Sequence, residues 1–280
     1  MSAMATLTER LGYGSGARLL IVNADELGFC HAANVGVYES LRSGGATSAS
    51  LMVPCPWGRE AAARYRGEDI GVHLTLNAEQ ELYRWGPITH APSLLGGDAG
   101  FPATVEDFWD HADLDETRRE CRAQVERAIL WGFDVSHLDA HLTTLQMRPE
   151  FFDIYLELAI DFGLPLRMVG DHLAGLLGFP AAELAKSAGA IFSDRSVTLA
   201  AGSARPDLEA LIGALEPGVT ELHLRPAADS PELRALTDDW GQRVGDYELL
   251  CGTPNIRQLA EEAGVSVIGF RPLRNLARSS

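Results

Sequence analysis

Short apolar runs rich in β-branched residues recur along this chain, with helical patterns between them. The runs lie at residues 19–25, 47–53, 70–76, 135–141, 164–169, 219–224 and 265–270. The helical patterns lie at residues 31–44, 57–66, 114–132, 149–163, 206–216, 230–243 and 254–263. Because strands that alternate with helices form parallel sheets, this order predicts an α/β fold, either open or closed into a barrel.

The length of 280 residues suits one such domain, and we expect it over residues 17–280, after a flexible lead-in at residues 1–16. The net charge of −16 argues against nucleic acid as a partner, since a phosphate backbone requires a basic patch. The four cysteines are far apart, which favours free thiols in a reducing compartment. We find no signal peptide and no membrane span, so we expect a cytoplasmic protein without a membrane partner.

Residues 77–104 interrupt the strand–helix rhythm with prolines, a glycine pair and large aromatic residues. Connections of this length are usually functional or disordered. Tyr83, Trp85 and Phe101 could line a substrate cleft, or they could pack against one another within the loop. The sequence leaves both alternatives open.

Polar residues collect where three of the predicted strands end, and reactive groups of parallel α/β folds lie at such ends. These residues are Asn23, Asp25 and Glu26 on the first run, His73 on the third, and His137, Asp139 and His141 on the fourth. Two imidazoles and one carboxylate are a common ligand set for a divalent metal. A single histidine in an apolar strand is more often a hydrogen-bonded core residue, but together the three strand ends favour a metal site.

The adjacent carboxylates of Asp25 and Glu26 repel each other unless a cation or a proton lies between them. A metal ion would remove that repulsion, with one carboxylate as its ligand and the other as a general base. Capping of the helix that begins near His31 is the alternative, and it explains one carboxylate more easily than both.

Three segments resemble the motifs of the YdjC-like carbohydrate deacetylases of the ChbG/HpnK type. They are "IVNADELGFCHAANVGVYESL" from residue 21, "IGVHLTL" from residue 70 and "SHLDAH" from residue 136. Looser similarity in "SLMVPCPW", "LPLRM" and "DWGQRVGDYELL" extends the resemblance over most of residues 18–250. The resemblance implies a distorted (β/α) barrel that removes the acetyl group from a small N-acetylated amino sugar, with one divalent metal ion.

Residue roles follow from the same resemblance. Asp25 would be the catalytic base, with Glu26, His73 and His141 as the metal ligands. His137 and Asp139 would orient those ligands by hydrogen bonds. Imidazoles favour Zn²⁺, whereas carboxylate and water also suit Mg²⁺, so the identity of the metal stays open.

The chain departs from the family pattern at three positions. Glu26 stands where many relatives have Asp, and the alternating histidines that often follow His141 are absent. Arg225 stands where a histidine is expected, and arginine cannot donate a proton near neutral pH. His223, two residues earlier on the same strand face, is the candidate replacement acid, although a core histidine is the more common case.

Arg167 is a basic residue in an apolar run, where burial without a partner would be costly. It could orient Asp25 through an ion pair, or it could form a structural salt bridge elsewhere.

Two other functions of the protein also stay open: a metallohydrolase of another amide or ester, and a carbohydrate-binding relative without turnover. A homodimer is the expected assembly only on general grounds.

Overall fold

The computed structural model describes residues 5–279, and its strands follow the predicted apolar runs closely. Within those residues the strands are β1 (Arg18–Leu27), β2 (Ser48–Leu51), β3 (Ile70–Leu74), β4 (Val135–Ala140), β5 (Arg195–Val197), β6 (Gly218–Leu224) and β7 (Ser266–Ile268). All pair in parallel, in the order β4-β3-β2-β1-β6-β5, and β7 pairs with the first half of β1.

Single parallel bridges continue the sheet beyond β4. Leu166 pairs with Leu138 on one side and with Phe192 on the other. These bridges lead to the segment just before β5, so the sheet curls round towards its other end. The predicted fold, a distorted (β/α) barrel in a single domain, is confirmed.

The inner face of the barrel is apolar at its base and polar towards the carboxyl ends of the strands. Leu19 and Ile21 of β1 pack at the base in a cluster that includes Phe270. Because side chains alternate along a strand, Asn23 and Asp25 continue the same inward face above that cluster. Each step along β1 therefore moves from the packed base towards the rim.

Helices cover the outside of the sheet, where the larger hydrophobic cluster lies. Within residues 5–279 they are α1 (Leu7–Arg10), α2 (His31–Ser43), α3 (Gly58–Arg64), α4 (Val105–His111), α5 (Leu114–Leu130), α6 (Pro149–Phe162), α7 (Asp171–Ala174), α8 (Ala181–Ser187), α9 (Arg205–Gly213), α10 (Pro231–Leu236), α11 (Trp240–Cys251), α12 (Ile256–Glu262) and α13 (Arg271–Ser279). None of these helices combines the length and apolar character needed to cross a membrane.

Two predicted elements differ from the structure, and one short strand was not predicted. The run at 164–169 makes only isolated bridges, because Pro165 has no N–H to donate to a neighbouring strand. The predicted helix at 230–243 is two helices, since Thr237 is extended (φ −150°, ψ 139°) and ends α10. Strand β5 has three residues, which is too short for a periodic signal, and the sequence did not predict it.

Part of the predicted lead-in is helical. Thr6 caps α1 by accepting a hydrogen bond from the backbone of Glu9, and the Glu9 side chain bonds back to Thr6. Leu7 and Leu11 pack against the cluster at the barrel base. Residues 1–4 lie outside the described residues, and the domain boundary at residue 17 stays a prediction.

Gly71 of β3 leaves room for the buried His137 inside the barrel. A Cβ at residue 71 would lie 2.5 Å from both the Nδ1 atom and the backbone oxygen of His137.

We expect Gly71→Ala to lower the free energy of unfolding by about 1–3 kcal/mol, as overpacking does. The urea midpoint measures the change. Gly213→Ala is the matched control, because a Cβ there meets nothing within 4 Å. Equal midpoints for the two variants would contradict the close contact.

Candidate active site

A cleft of about 300 Å³ opens at the carboxyl ends of the strands and contains most of the predicted site residues. Its walls include Asp25 and Glu26 from β1, His73 from β3 and His223 from β6. His141, directly after β4, completes the set. Distant parts of the chain therefore meet at one rim, as the parallel strand order predicts.

Arg167, which also lines this cleft, binds three buried carboxylates. Its Nη2 donates to Asp25 Oδ1 at 2.7 Å, and its Nη1 donates to Asp25 Oδ2 at 2.8 Å. Nη1 also donates to Asp139 Oδ2 at 2.6 Å, and Nε donates to Glu221 Oε1 at 2.7 Å. Arg167 thus has both the ion pair with Asp25 and salt bridges with Asp139 and Glu221, so the two alternatives that the sequence left open occur together.

This guanidinium sets the charge of the carboxylates around it. Burial by itself would raise the pKa of Asp25, but the charge of Arg167, its two hydrogen bonds and the nearby His223 hold that pKa well below its usual range. The pKa of Asp139 is lowered for the same main reason, against its burial. The pKa of Glu221 is raised, because there burial outweighs the attraction of Arg167. Asp25 is thus ionised at neutral pH.

The two candidate histidine ligands face each other across the cleft floor. His73 Nε2 lies 3.1 Å from His141 Nδ1. The other nitrogen of each ring is held by a carboxylate: His73 Nδ1 by Asp139, and His141 Nε2 by Glu79 Oε2 at 3.0 Å. When both rings are neutral, these bonds place N–H on His73 Nδ1 and His141 Nε2. The two nitrogens that face each other then both carry lone pairs.

Facing lone pairs at this distance require a positive charge between them. Either a proton or a metal ion supplies it. A carboxylate that holds the far nitrogen of a histidine is the usual arrangement behind a metal-ligating imidazole. The donor set at His73 and His141 therefore fits a divalent metal ion.

A second arrangement of possible ligands lies deeper in the barrel. Asp25, His73 and Asp139 offer ligand atoms that all lie within 4.8 Å of one another, and all three residues are buried. This group could hold a metal ion. However, Arg167 Nη1 already bridges the two carboxylates at 2.8 and 2.6 Å, so a cationic group occupies the place between them.

Glu26 lies on the cleft wall in a strained conformation. Its φ of 67° is in the left-handed region, which non-glycine residues rarely adopt. Oε2 accepts from Arg243 Nη1 at 2.6 Å, and Arg225 Nη1 lies 3.8 Å from Oε1. Burial opposes ionisation, but the charges of Arg243 and Arg225 lower the pKa of Glu26 to about 2. In this arrangement Oε1 accepts no close hydrogen bond from either arginine.

His137 shares the inward strand face with Asp139 but lies at the base of the barrel. Its Nδ1 lies 2.9 Å from the hydroxyl of Ser136, and its ring stacks on Phe270 at 3.8 Å. Burial lowers the pKa of His137 to about 3, so the ring is neutral. The bonds of His137 described here do not reach His73 or His141, and its predicted orienting role stays a prediction, whereas Asp139 does contact His73.

His223 and Arg225 lie side by side on the cleft wall. His223 Nδ1 is 3.6 Å from Asp25 Oδ2, and 29% of the His223 side chain is exposed. Arg225 Nη1 binds Asp239 Oδ2 at 2.8 Å, which anchors the guanidinium away from Asp25. Of the two, His223 is the one next to the carboxylate of Asp25.

Several residues in the site were not predicted. Ser50 donates to Asp139 at 3.1 Å, Arg243 binds Glu26, and Glu79 binds His141. Ser50 and Arg243 lie in two segments of looser family similarity, which gave them no role, and a glutamate in a long loop carries no distinctive sequence signal. Of the loop aromatics, Trp85 and Phe101 are buried in the main core, so the packing alternative holds for them.

Comparisons with known proteins agree with this architecture. The YdjC-like protein family model matches residues 19–262. A carbohydrate deacetylase of Thermus thermophilus is 36% identical over 263 residues, which cover 91% of this chain and 94% of the relative. A chitooligosaccharide deacetylase of Yersinia pestis is 30% identical over 160 residues, which cover 54% of this chain and 59% of the relative.

A solved structure shows the same fold. It is a proposed cellobiose-phosphate cleavage protein from Enterococcus faecalis, with a TM-score of 0.80 and 24% identity, covering 92% of this chain and 99% of that chain. The fold and the strand-end site define a (β/α)-barrel protein with an acidic and histidine-rich cleft. The chain belongs to the YdjC-like protein family.

Because two arginines lie beside Glu26, we expect the contribution of Glu26 to the free energy of unfolding to depend on pH. Because the folded pKa of Glu26 is lowered from 4.5 to about 2, the ionised side chain stabilises the fold above pH 4.5, and this stabilisation is lost as pH falls towards 2. A shift of this size is worth about 3 kcal/mol at pH 6, of which roughly half is lost by pH 3. The unfolding free energies of metal-free wild type and Glu26→Gln should therefore converge at low pH. A difference that does not change with pH would contradict the assignment.

Proposed function

We propose that this chain is a metal-dependent hydrolase that removes the acetyl group from a small N-acetylated amino sugar or oligosaccharide. The observation that carries the proposal is an ionised Asp25, held by Arg167 beside a facing pair of imidazoles in an open cleft. Relatives named carbohydrate deacetylase and chitooligosaccharide deacetylase support the choice of reaction.

His73 Nε2 and His141 Nδ1 would hold the metal ion, with Glu26 as the third ligand from the cleft wall. Glu26 supports this role because one of its oxygens is left without a close hydrogen bond by its two arginines. A divalent ion at this site would supply Lewis acidity for the water and for the acetamide carbonyl. Two imidazole nitrogens favour zinc or another transition ion over magnesium.

Asp25 would accept the proton of the attacking water. Arg167 fixes the carboxylate by two hydrogen bonds, so its orientation does not depend on the substrate. The low pKa of Asp25 makes it a weak base, which can remove a proton only from an acidified water. This is the reason that the base and the metal ligands have to lie at one rim.

His223 would return a proton to the amine nitrogen as the C–N bond breaks. It lies 3.6 Å from Asp25, and it is partly exposed to the cleft where a substrate would bind. An imidazole can carry the proton that a general acid delivers, and this one lies next to the proposed base. Arg225 would instead bind a polar group of the substrate or of the reacting centre, because a guanidinium keeps its protons.

A second groove adjoins the cleft, which supports a substrate of more than one ring. Gln242 and Asp246 line both spaces, and the groove of about 490 Å³ also includes Trp240. An aromatic side chain with nearby amide and carboxylate groups suits a sugar ring, which has apolar faces and polar edges.

Four free cysteines support the predicted reducing, cytoplasmic location.

Acetate release from N-acetylglucosamine and from diacetylchitobiose tests the proposed reaction. We expect Asp25→Asn to abolish turnover while metal binding is kept. His223→Gln should lower kcat by about 10²-fold or more, the range typical of a lost general acid. Chelation should remove activity, and added metal should restore it. His111→Gln, at an exposed histidine of α4, is the matched control and should act as wild type.

Two outcomes would contradict the proposal. Release of acetate only from simple amides or esters would make the protein another metallohydrolase. Binding of metal and sugar by folded wild-type protein without any turnover would make it a carbohydrate-binding relative.

A further inference from the structure

Glu79 lies outside the three quoted motif segments, yet it contacts a candidate metal ligand directly. Its Oε2 lies 3.0 Å from Nε2 of His141, whose side chain is 2% exposed. The imidazole of His141 is therefore closed in by protein, with one nitrogen towards Glu79 and the other towards His73.

The loop that carries Glu79 is tied to the turn that carries His141. Thr144 Oγ1 lies 2.6 Å from Asn77 Oδ1 and 3.0 Å from the carbonyl oxygen of His141. Asn77 Nδ2 donates to the carbonyl of Thr104 at 2.7 Å, and Trp85 Nε1 donates to the carbonyl of Asn77 at 2.9 Å. These bonds hold the start of the long loop beside the end of β4.

The backbone after His141 adds a further constraint. Leu142 and Thr143 both have positive φ, 50° and 57°, so the chain turns sharply directly after the histidine. Because the strand ends here, the alternation of side chains along β4 does not fix the direction of the His141 side chain. That direction depends on the contacts of its ring. The ring of His141 contacts Glu79 through Nε2 and His73 through Nδ1.

We propose that Glu79 is a positioning residue that holds His141 as the Nε2–H tautomer and so presents Nδ1 as a metal ligand. This inference rests on the proposed function and deepens it. Asp139 holds His73 from a neighbouring strand, whereas Glu79 holds His141 from the loop at 75–104. The long loop thus has a function that its buried aromatics do not explain by themselves: it delivers the second supporting carboxylate.

Two variants of Glu79 distinguish the effect of its hydrogen bond to His141 from the effect of its negative charge. In Glu79→Gln the amide oxygen can still accept from Nε2–H, whereas Glu79→Met removes the acceptor at similar length. Glu81→Met, at an exposed glutamate of the same loop, is the matched control. Zinc affinity of the metal-free full chain is measured by calorimetry, and the tautomer of His141 by NMR of ¹⁵N-histidine-labelled protein without metal.

We expect Glu79→Met to weaken zinc binding by about 10- to 100-fold, the usual effect of losing such a supporting group. Glu79→Gln should stay within a few-fold of wild type, and Glu81→Met should match it. In the metal-free protein, wild type should show His141 protonated at Nε2, and Glu79→Met should show a mixture of tautomers.

If Glu79→Met changes neither the zinc affinity nor the tautomer of His141, the positioning role is overturned. An equal loss in Glu79→Gln and Glu79→Met would also overturn it, because the carboxylate itself would then contact the ion. Failure of the proposed function gives a different result: wild-type protein that shows the Glu79 effects on zinc and tautomer but releases no acetate from any acetamido sugar.

Discussion

The interaction on which the site depends is the contact of one guanidinium with three carboxylates inside the barrel. Asp25, Asp139 and Glu221 come from β1, β4 and β6, and Arg167 pairs with all of them. Without that charge, three acidic groups would share a buried space, and each would be driven to take up a proton. Arg167 also follows Leu166, which bridges the sheet beyond β4. The residue whose charge stabilises these carboxylates therefore lies where the barrel closes.

The same contact divides the cleft into two regions with different chemistry. Below, Arg167 binds all three carboxylates, although Glu221 Oε2 has no hydrogen-bond partner, and its Nη1 donates to both Asp25 and Asp139. Above, the imidazoles of His73 and His141 face each other and still require a positive charge. Asp25 belongs to both regions, because it binds Arg167 below and lies beside His223 on the cleft wall. This division would allow the proposed base and the proposed metal site to lie next to each other without competing for one cation.

Sequence reasoning located the site because parallel strands bring their carboxyl ends together. Asp25, His73 and His141 were predicted to converge on that ground, and the structure brings them to one cleft. The strand period also placed His137 and Asp139 on one face. The period does not say how far a residue lies below the rim of the barrel, and His137 lies at the barrel base.

The missed features depend on tertiary contacts that leave no local pattern. Glu79 reaches His141 across 62 residues, and Arg243 reaches Glu26 across 217 residues. The positive φ of Glu26 is invisible in a sequence that has no glycine at that position. Pro165 prevents the run at 164–169 from pairing as a full strand, although its apolar residues fit the strand pattern.

An anomalous difference map from crystals grown with zinc tests most directly where the cation of this site lies. We expect a single ion bonded to His73 Nε2 and His141 Nδ1 at about 2.0–2.1 Å, with Arg167 still paired to Asp25 and Asp139. An ion bound between Asp25 and Asp139, with the Arg167 guanidinium displaced, would contradict the division of the cleft described here.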